Sequence, residues 1–204
     1  MSRLLSILLF PLSLIYRAAT TFRNHLYDIQ SRKTIAFTPF IISVGNLSVG
    51  GTGKTPMVVY LAQRLKDDYP LAILSRGYGR QTRSVRIANA QDTARTLGDE
   101  PYLFYRRFGK QSTVAVGEER VAAVPEILFH TPDTQVILLD DAYQHRAIGR
   151  DFNILLTNHA RPFYADQVLP AGRLRESRRG AQRADAVVVT KCPNHLPEET
   201  RNQI

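Results

Sequence analysis

One cysteine, Cys192, is all the thiol chemistry this 204-residue chain contains. An intramolecular disulfide is therefore excluded. No Cys/His cluster has metal-ligand spacing, so a structural metal is not expected, a reducing compartment is, and Cys192 reads as inert. Also missing is any apolar run of roughly 20 residues, the length a straight membrane-crossing helix needs. Neither an internal repeat nor a low-complexity tract is present. There is no zinc finger and no basic strand interleaved with aromatics, and basic residues are scattered between motifs, so nucleic acid is not an expected partner. Acidic residues are in deficit, 18 against 27 basic, for a net charge of +9. Of the basic residues 22 are Arg and 5 Lys. The planar guanidinium suits bidentate recognition of phosphate or carboxylate, which points to anionic partners without choosing among them. The length suffices for one full α/β domain and is short for two.

What the chain does have is Gly50-Gly51-Thr52-Gly53-Lys54-Thr55, reached from the apolar run Phe40-Ile41-Ile42-Ser43-Val44. A strand that empties into glycines and then Lys-Thr builds a nest of backbone N–H groups at a helix N-terminus, where amide dipoles and one ammonium neutralise a polyphosphate. In this reading residues Ser48, Val49, Gly50, Gly51, Thr52, Gly53, Lys54 and Thr55 bind the phosphates of a nucleotide, with Lys54 on the β- and γ-phosphates and the Thr55 hydroxyl on Mg²⁺. The strict signature has glycine where Ser48 stands, so the first turn of the loop is expected to differ. An apolar helical pattern from Met57 to Leu65 follows at the required offset.

Short β-branched runs alternate with helical patterns from residue 35 onward, the mark of an α/β fold: a P-loop NTPase-like, mostly parallel sheet with flanking helices. Strands are expected over 40–44, 71–74, 113–116, 136–139, 152–156 and 186–189, and helices over 56–66, 101–108 and 118–129. Ligands in such sheets bind beyond the strands' carboxyl ends, so the residues just after each run carry the candidates. After 71–74 comes Ser75-Arg76-Gly77-Tyr78-Gly79-Arg80, a glycine-punctuated loop suited to an anionic, partly cyclic ligand or, more plainly, a solvated turn. After 136–139 come Asp140 and Asp141, where a buried strand would hold a carboxylate on Mg²⁺; if the strand persists the two side chains point to opposite sides. Gln144 and His145 follow closely. Asp99, in Gly98-Asp99-Glu100-Pro101, serves equally as a helix N-cap or as a base for a substrate hydroxyl. Leu169-Pro170-Ala171-Gly172-Arg173-Leu174-Arg175-Glu176 opens into a basic run that reads as a charged helix face or as a clamp for phosphate or membrane.

Residues 1–33 form an apolar and basic arm, with thirteen apolar-dominated residues from Leu4 to Tyr16 between Arg3 and Arg17. The expectation is an uncleaved helix lying in the cytoplasmic face of a membrane, its Arg residues on anionic headgroups. Packing of the same helix on the domain's own core is the alternative, and Pro11 is expected to kink or restart either one.

With residues 44–56, 75–80, 98–101, 140–146 and 169–176 quoted in order, the chain resembles the tetraacyldisaccharide 4′-kinase family, membrane-associated kinases of lipid A biosynthesis. The resemblance implies ATP and Mg²⁺ as cofactors, with Thr55, Asp140 and Asp141 on the metal and Lys54, Asp99, Asp140 and Asp141 as the catalytic set. Asp99 would assist the sugar 4′-hydroxyl as it attacks the γ-phosphate. Arg76, Tyr78, Gln144, His145, Arg173 and Glu176 would line the side of the anionic glycolipid. A monomer at the cytoplasmic side of a bacterial inner membrane is implied, with the kinase domain over 34–204. Ala142-Tyr143 departs from the family's usual Gly-Phe. Family members also run on past residue 204 into a second lobe that supplies a histidine for the catalytic Asp, which makes this chain an N-terminal part, either fragment or truncation. Two rival readings are an inactive remnant that still binds nucleotide and a membrane-recruited ATPase or GTPase switch. Thr190-Lys191 resembles a guanine-reading Asn-Lys-x-Asp only partly, because Pro193 stands where the Asp is needed.

Overall fold

β-Branched and aliphatic runs become strands wherever both of their faces can be covered, and the computed structural model, which describes residues 3–199, contains all six that were expected. They are β1 (Phe40–Asn46), β2 (Leu71–Ser75), β4 (Thr113–Val116), β5 (Val136–Asp140), β6 (Phe152–Asn158) and β7 (Ala186–Thr190); the two-residue β3 (Arg86–Ile87) was not foreseen. Five helices accompany them: α1 (Arg3–Asp28), α2 (Lys54–Leu65), α3 (Ala94–Leu97), α4 (Asp99–Phe108) and α5 (Arg120–His130). The sheet order is β3-β4-β2-β5-β1-β6-β7, parallel throughout except where β3 runs against β4. Residues 1, 2 and 200–204, the outermost positions of the expected arm and domain, lie outside the described residues.

Period-two alternation divides the core between the two faces of the sheet. Val44, Ile73 and Leu138 face α2 and α4, meeting Val58, Ala62, Phe104 and Phe108. Ile41, Ala72, Leu74, Ile137 and Leu139 face α5 through Ala123, Val124 and Ile127. Burying each large aliphatic or aromatic side chain contributes about 1.5–3 kcal/mol, which makes these layers the rigid floor of everything above them. A third cluster of Leu47, Tyr143, Leu155, Val168 and Leu174 packs the loops beyond the carboxyl edge.

One expectation about the arm needs correction, and its alternative is set aside. α1 continues through Pro11 instead of restarting there, since a proline removes a single amide donor from a helix whose other bonds persist. Nor does α1 lay its apolar side on the core. Its polar side docks: Ser13 Oγ accepts from the Ala171 amide at 2.8 Å, Arg23 donates to the Gln144 carbonyl at 2.7 Å, and Asp28 pairs with Arg146 at 2.7 Å. Leu8, Ile15 and Phe22 are left 75%, 67% and 64% exposed. Among the described residues no helix is long and apolar enough to cross a membrane. The basic run after Leu174 is also not a long helix face: residues Arg178–Arg183 form a 3₁₀ turn, with Arg183 tied back to Glu176 at 2.8 Å.

Candidate active site

Strand register does what sequence spacing could not. Because β5 lies directly beside β1, with Asp140 opposite Val44, the glycine loop and the paired aspartates leave the sheet as neighbours. They line one cleft of about 1210 Å³ at the carboxyl edge, the place parallel sheets reserve for ligands.

The loop is braced from outside by side chains and backbone of neighbouring segments. Asn46 Nδ2 donates to Thr52 Oγ1 at 2.6 Å, and the Thr190 hydroxyl donates to the Thr52 carbonyl at 2.9 Å. The Val49 amide donates to the Arg173 carbonyl at 2.8 Å, and Ser48 forms an antiparallel bridge with Leu174. Ser48 has an ordinary negative φ, so this turn does not require the glycine of the strict signature. Gly53, at φ 83°, starts α2 with no side chain capping the helix. The first-turn amides and the positive end of the helix dipole are thereby left for an anion.

Charged groups converge over that loop. Lys54 Nζ lies 3.7 Å from Asp141, and Arg175 holds the same carboxylate with contacts of 3.0, 3.1 and 3.2 Å. Strand β5 stops at Asp140 and Asp141 turns left-handed at φ 47°, so the two aspartates do not diverge across the sheet; both reach the cleft. Asp140 is only 5% exposed. Ser75 Oγ donates to its Oδ2 at 3.0 Å, while Oδ1 is buried with no hydrogen-bond partner. Burial pushes its pKa up to about 6, the Ser75 bond opposes this, the Asp141 charge adds to it and Lys54 pulls it back. A buried lone pair without a donor is a costly arrangement that a cation would resolve. Among the described residues no three His, Cys, Asp or Glu side chains form a metal cage. That composition fits Mg²⁺, which takes one or two carboxylates and completes its shell with phosphate and water.

Beneath Asp140 lies Arg120, fully buried, its guanidinium donating to the Gly117 and Asp140 carbonyls. Its pKa is lowered to about 10 by burial. His145 lines the cleft with its pKa lowered to about 4, first by burial and then by the charges of Arg120 and Arg76, so the ring is neutral at pH 7.

Residues 5–204 match the model of the family described as Tetraacyldisaccharide-1-P 4′-kinase. The chain belongs to this family. It is 51% identical over 191 residues to a protein of Cytophaga hutchinsonii named Tetraacyldisaccharide 4′-kinase, covering 94% of this chain and 54% of that one. The Flavobacterium johnsoniae protein of the same name is 47% identical over 201 residues, 98% of this chain and 59% of the relative. A crystal structure of LpxK from Aquifex aeolicus in complex with ATP superposes with a TM-score of 0.83 at 38% identity, over 95% of this chain and 62% of that one. The chain thus spans just over half the length of the curated relatives it matches.

Within the family member in hand, the expected site residues fall into three groups. Val49 to Thr55, Asp140, Asp141, Arg76, Tyr78, Gln144 and His145 line the cleft. Glu176 reaches it too, yet at 2% exposure it acts as a strut, accepting from Asn24, Gln144 and Arg183. Ser48, Asp99 and Arg173 do not line it. Asp99 is an exposed first-turn residue of α4 and not the N-cap, a position taken by Gly98; its neighbour Glu100 is the one that reaches the cleft wall. Arg173 contributes backbone to the phosphate loop, while Arg175, another guanidinium of the same expected clamp, makes the ionic contact with Asp141. Asn46, Ser75 and Arg120 were missed. Ser75 and Arg120 act on Asp140, 65 and 20 positions away, so spacing held no signal for them, and Asn46 meets Thr52, six positions on, only once the loop has folded.

Proposed function

We propose that the cleft binds ATP with Mg²⁺ and that the chain forms the nucleotide-binding part of a kinase transferring the γ-phosphate to the 4′-hydroxyl of a tetraacyl glucosamine disaccharide 1-phosphate in lipid A biosynthesis. The observation that carries the reading is the convergence of the uncapped glycine loop, Lys54 and the Asp140/Asp141 pair on one cleft, in a member of a family named for that reaction.

The loop amides and Lys54 hold the triphosphate, with Thr55 and the orphaned Oδ1 of Asp140 as the metal-holding oxygens. When bound, Mg²⁺ neutralises charge on the β- and γ-oxygens. Lys54 exchanges Asp141 for a phosphate oxygen, and Arg175 keeps Asp141 compensated as it does so. Asp99, at the outer end of α4, is the base for the acceptor hydroxyl. Arg76 and Tyr78 face the acceptor from a loop packed against the start of α4, a Cβ on Gly98 falling only 2.8 Å from the Tyr78 carbonyl. Neutral His145 hydrogen-bonds the sugar without adding charge, while Gln144, whose Nε2 is held by the Asn46 carbonyl and Glu176, offers it only the Oε1 acceptor. Positioning and charge neutralisation supply most of the acceleration, because phosphoryl transfer through a loose transition state needs little covalent help.

Equilibrium dialysis tests the nucleotide half directly: the folded chain should retain ATP at millimolar concentration with Mg²⁺ present. No retention would sink the proposal. Asp140→Asn should abolish the Mg²⁺ dependence of binding while leaving the metal-free protein at least as stable as wild type, since it deletes a carboxylate whose ionised form burial disfavours. A variant that keeps full Mg²⁺ dependence removes Asp140 from the metal site.

The same reading places α1 on a membrane surface, at the cytoplasmic side of the bacterial inner membrane. Support comes from the outward apolar residues Leu8, Ile15 and Phe22 opposite a docked polar side. Leu8→Glu with Ile15→Glu should cut cosedimentation with anionic phospholipid vesicles at least fivefold, on the reasoning that binding scales with buried apolar area. Equal cosedimentation of variant and wild type counts against it.

A further inference from the structure

The loop after β2 carries two guanidiniums, and the fold uses them differently. Arg76 is exposed, lines the cleft and enters no ion pair among the described residues. Arg80 does not line the cleft, and its side chain is only 2% exposed. It doubles back against its own turn, which the Arg80 amide closes by donating to the Gly77 carbonyl at 3.3 Å. A Cβ on Gly77 would lie 2.6 Å from the Arg80 Cδ and 2.8 Å from the Leu97 carbonyl oxygen. Gly77 also turns at φ 74°, where glycine alone sits without strain, so the loop rests directly on the Arg80 stem and on the backbone entering α4. The head of Arg80 is spent on the loop after β4. Its Nη2 and Nε donate to the two carboxylate oxygens of Glu118 at 2.6 and 3.3 Å, and Nη2 also donates to the Ser84 carbonyl at 2.6 Å. The Arg80 hydrogen bond holds the Glu118 carboxyl below its usual range.

Strand order explains this reach. β4 lies beside β2 and the Gly117 amide donates to the Ser75 carbonyl at 3.0 Å, so the loops leaving the two strands emerge side by side. Glu118 stands on one of them, Arg76 and Tyr78 on the other, and neither Glu118 nor Arg80 lines the cleft. Without the carboxylate, Arg80 is a buried cation with no counter-charge, a state relieved by moving out to water. Gly77 then loses the stem it rests on. We propose that the Arg80–Glu118 pair is a positioning device for the acceptor, holding Arg76 and Tyr78 over the cleft. This inference rests on the reading of that loop as the acceptor-facing one and names what sets its geometry.

Charge and position make opposite predictions for Glu118→Gln. The acceptor is anionic, so deleting a nearby carboxylate tightens binding if the field alone counts; a displaced loop weakens it. The test measures binding of the tetraacyl disaccharide 1-phosphate, presented in neutral detergent micelles, and of Mg²⁺-ATP. The expected result for Glu118→Gln is a disaccharide dissociation constant raised about tenfold with that of Mg²⁺-ATP unchanged within about twofold, the scale on which misplaced binding groups act. In a chain already carrying Arg76→Gln and Tyr78→Ala it should add less than about twofold, because it acts through those two side chains. Thermal unfolding within about 4 °C of wild type verifies the fold. Arg80→Lys, which keeps the charge and loses the fork, should weaken the disaccharide in the same selective way and replaces Glu118→Gln if that protein is unfolded. Disaccharide binding that is unchanged or tighter overturns the inference, as does parallel loss of both ligands, which would make the pair a prop of the whole domain. Full additional loss in the Arg76→Gln, Tyr78→Ala chain overturns it by placing Glu118 on the ligand. Wild type that binds Mg²⁺-ATP and no disaccharide overturns the acceptor reading and this inference together.

Discussion

Lys54→Ala is expected to lower γ-phosphate transfer to the lipid acceptor by about 10²–10³-fold in protein that turns over, the scale on which one preorganised charge-stabilising donor acts. Lys54 opens α2 at the floor of the cleft and is the side chain at the start of that helix that brings a full positive charge to the amide nest. In the ligand-free site its ammonium rests 3.7 Å from Asp141. Removing it does not strand that carboxylate, because Arg175 still makes three contacts of 3.0–3.2 Å with it. The fold should therefore survive while the triphosphate loses its cation. Steady-state kinetics paired with thermal unfolding separates the two effects. Turnover within fivefold of wild type in a well-folded Lys54→Ala protein would falsify the assignment of the loop as the phosphate site.

Gly45→Ala should be a strongly damaging single-methyl change beside the site. A Cβ at this position would lie 2.6 Å from the Cβ of Tyr143 and 2.9 Å from its amide nitrogen. Tyr143 cannot yield: it is fully buried, its hydroxyl donates to the Gly180 carbonyl at 2.8 Å, and Arg183 stacks 4.9 Å from its ring centre. Overpacking of this kind costs about 1–3 kcal/mol, worth about 2–4 °C of Tm per kcal/mol at this size. The damage propagates to function because Tyr143 sits between the aspartates and Gln144, whose Nε2 bonds the Asn46 carbonyl at 2.9 Å. Weakened nucleotide binding should accompany the drop in Tm. A Gly45→Ala protein with wild-type Tm would show that β1 and the Asp140–Arg146 loop are not pressed together.

Acid should act on this fold through His145. Its folded pKa of about 4 lies below the unfolded value near 6.5, so the unfolded chain takes up a proton first and stability is lost as pH falls through that window. Asp140 has the opposite sign: its folded pKa of about 6 lies above the unfolded value, and it adds stability on acidification below 6. The two partly cancel in wild type. His145→Gln should therefore gain stability relative to wild type between pH 7 and pH 5, read as urea midpoints. A constant difference between the two proteins across that range would place the ring in solvent.

Element type was legible because it is a local property. Alternating or continuous β-branched runs mark six strands to within two residues at their ends, and glycines followed by Lys-Thr mark the phosphate loop. β3 escaped notice since two residues carry no period, and α3 because four residues are held by a capping box between Thr93 and Thr96 rather than by an apolar face. For α1 it is the alternative of packing the apolar stripe on the core that the structure sets aside: the docked side is the one carrying Ser13, Arg23 and Asn24.

From residues alone came the element types, the nucleotide chemistry of the loop and the family resemblance, all of which rest on neighbours a few positions apart. Tertiary structure alone decided that Asp140 holds an unpaired lone pair beside Ser75, 65 positions away, that Arg175 and not Arg173 grips Asp141, and that Thr190 braces Thr52 across 138 positions. Those contacts depend on strand order and register, which long-range packing selects and no short window of sequence contains.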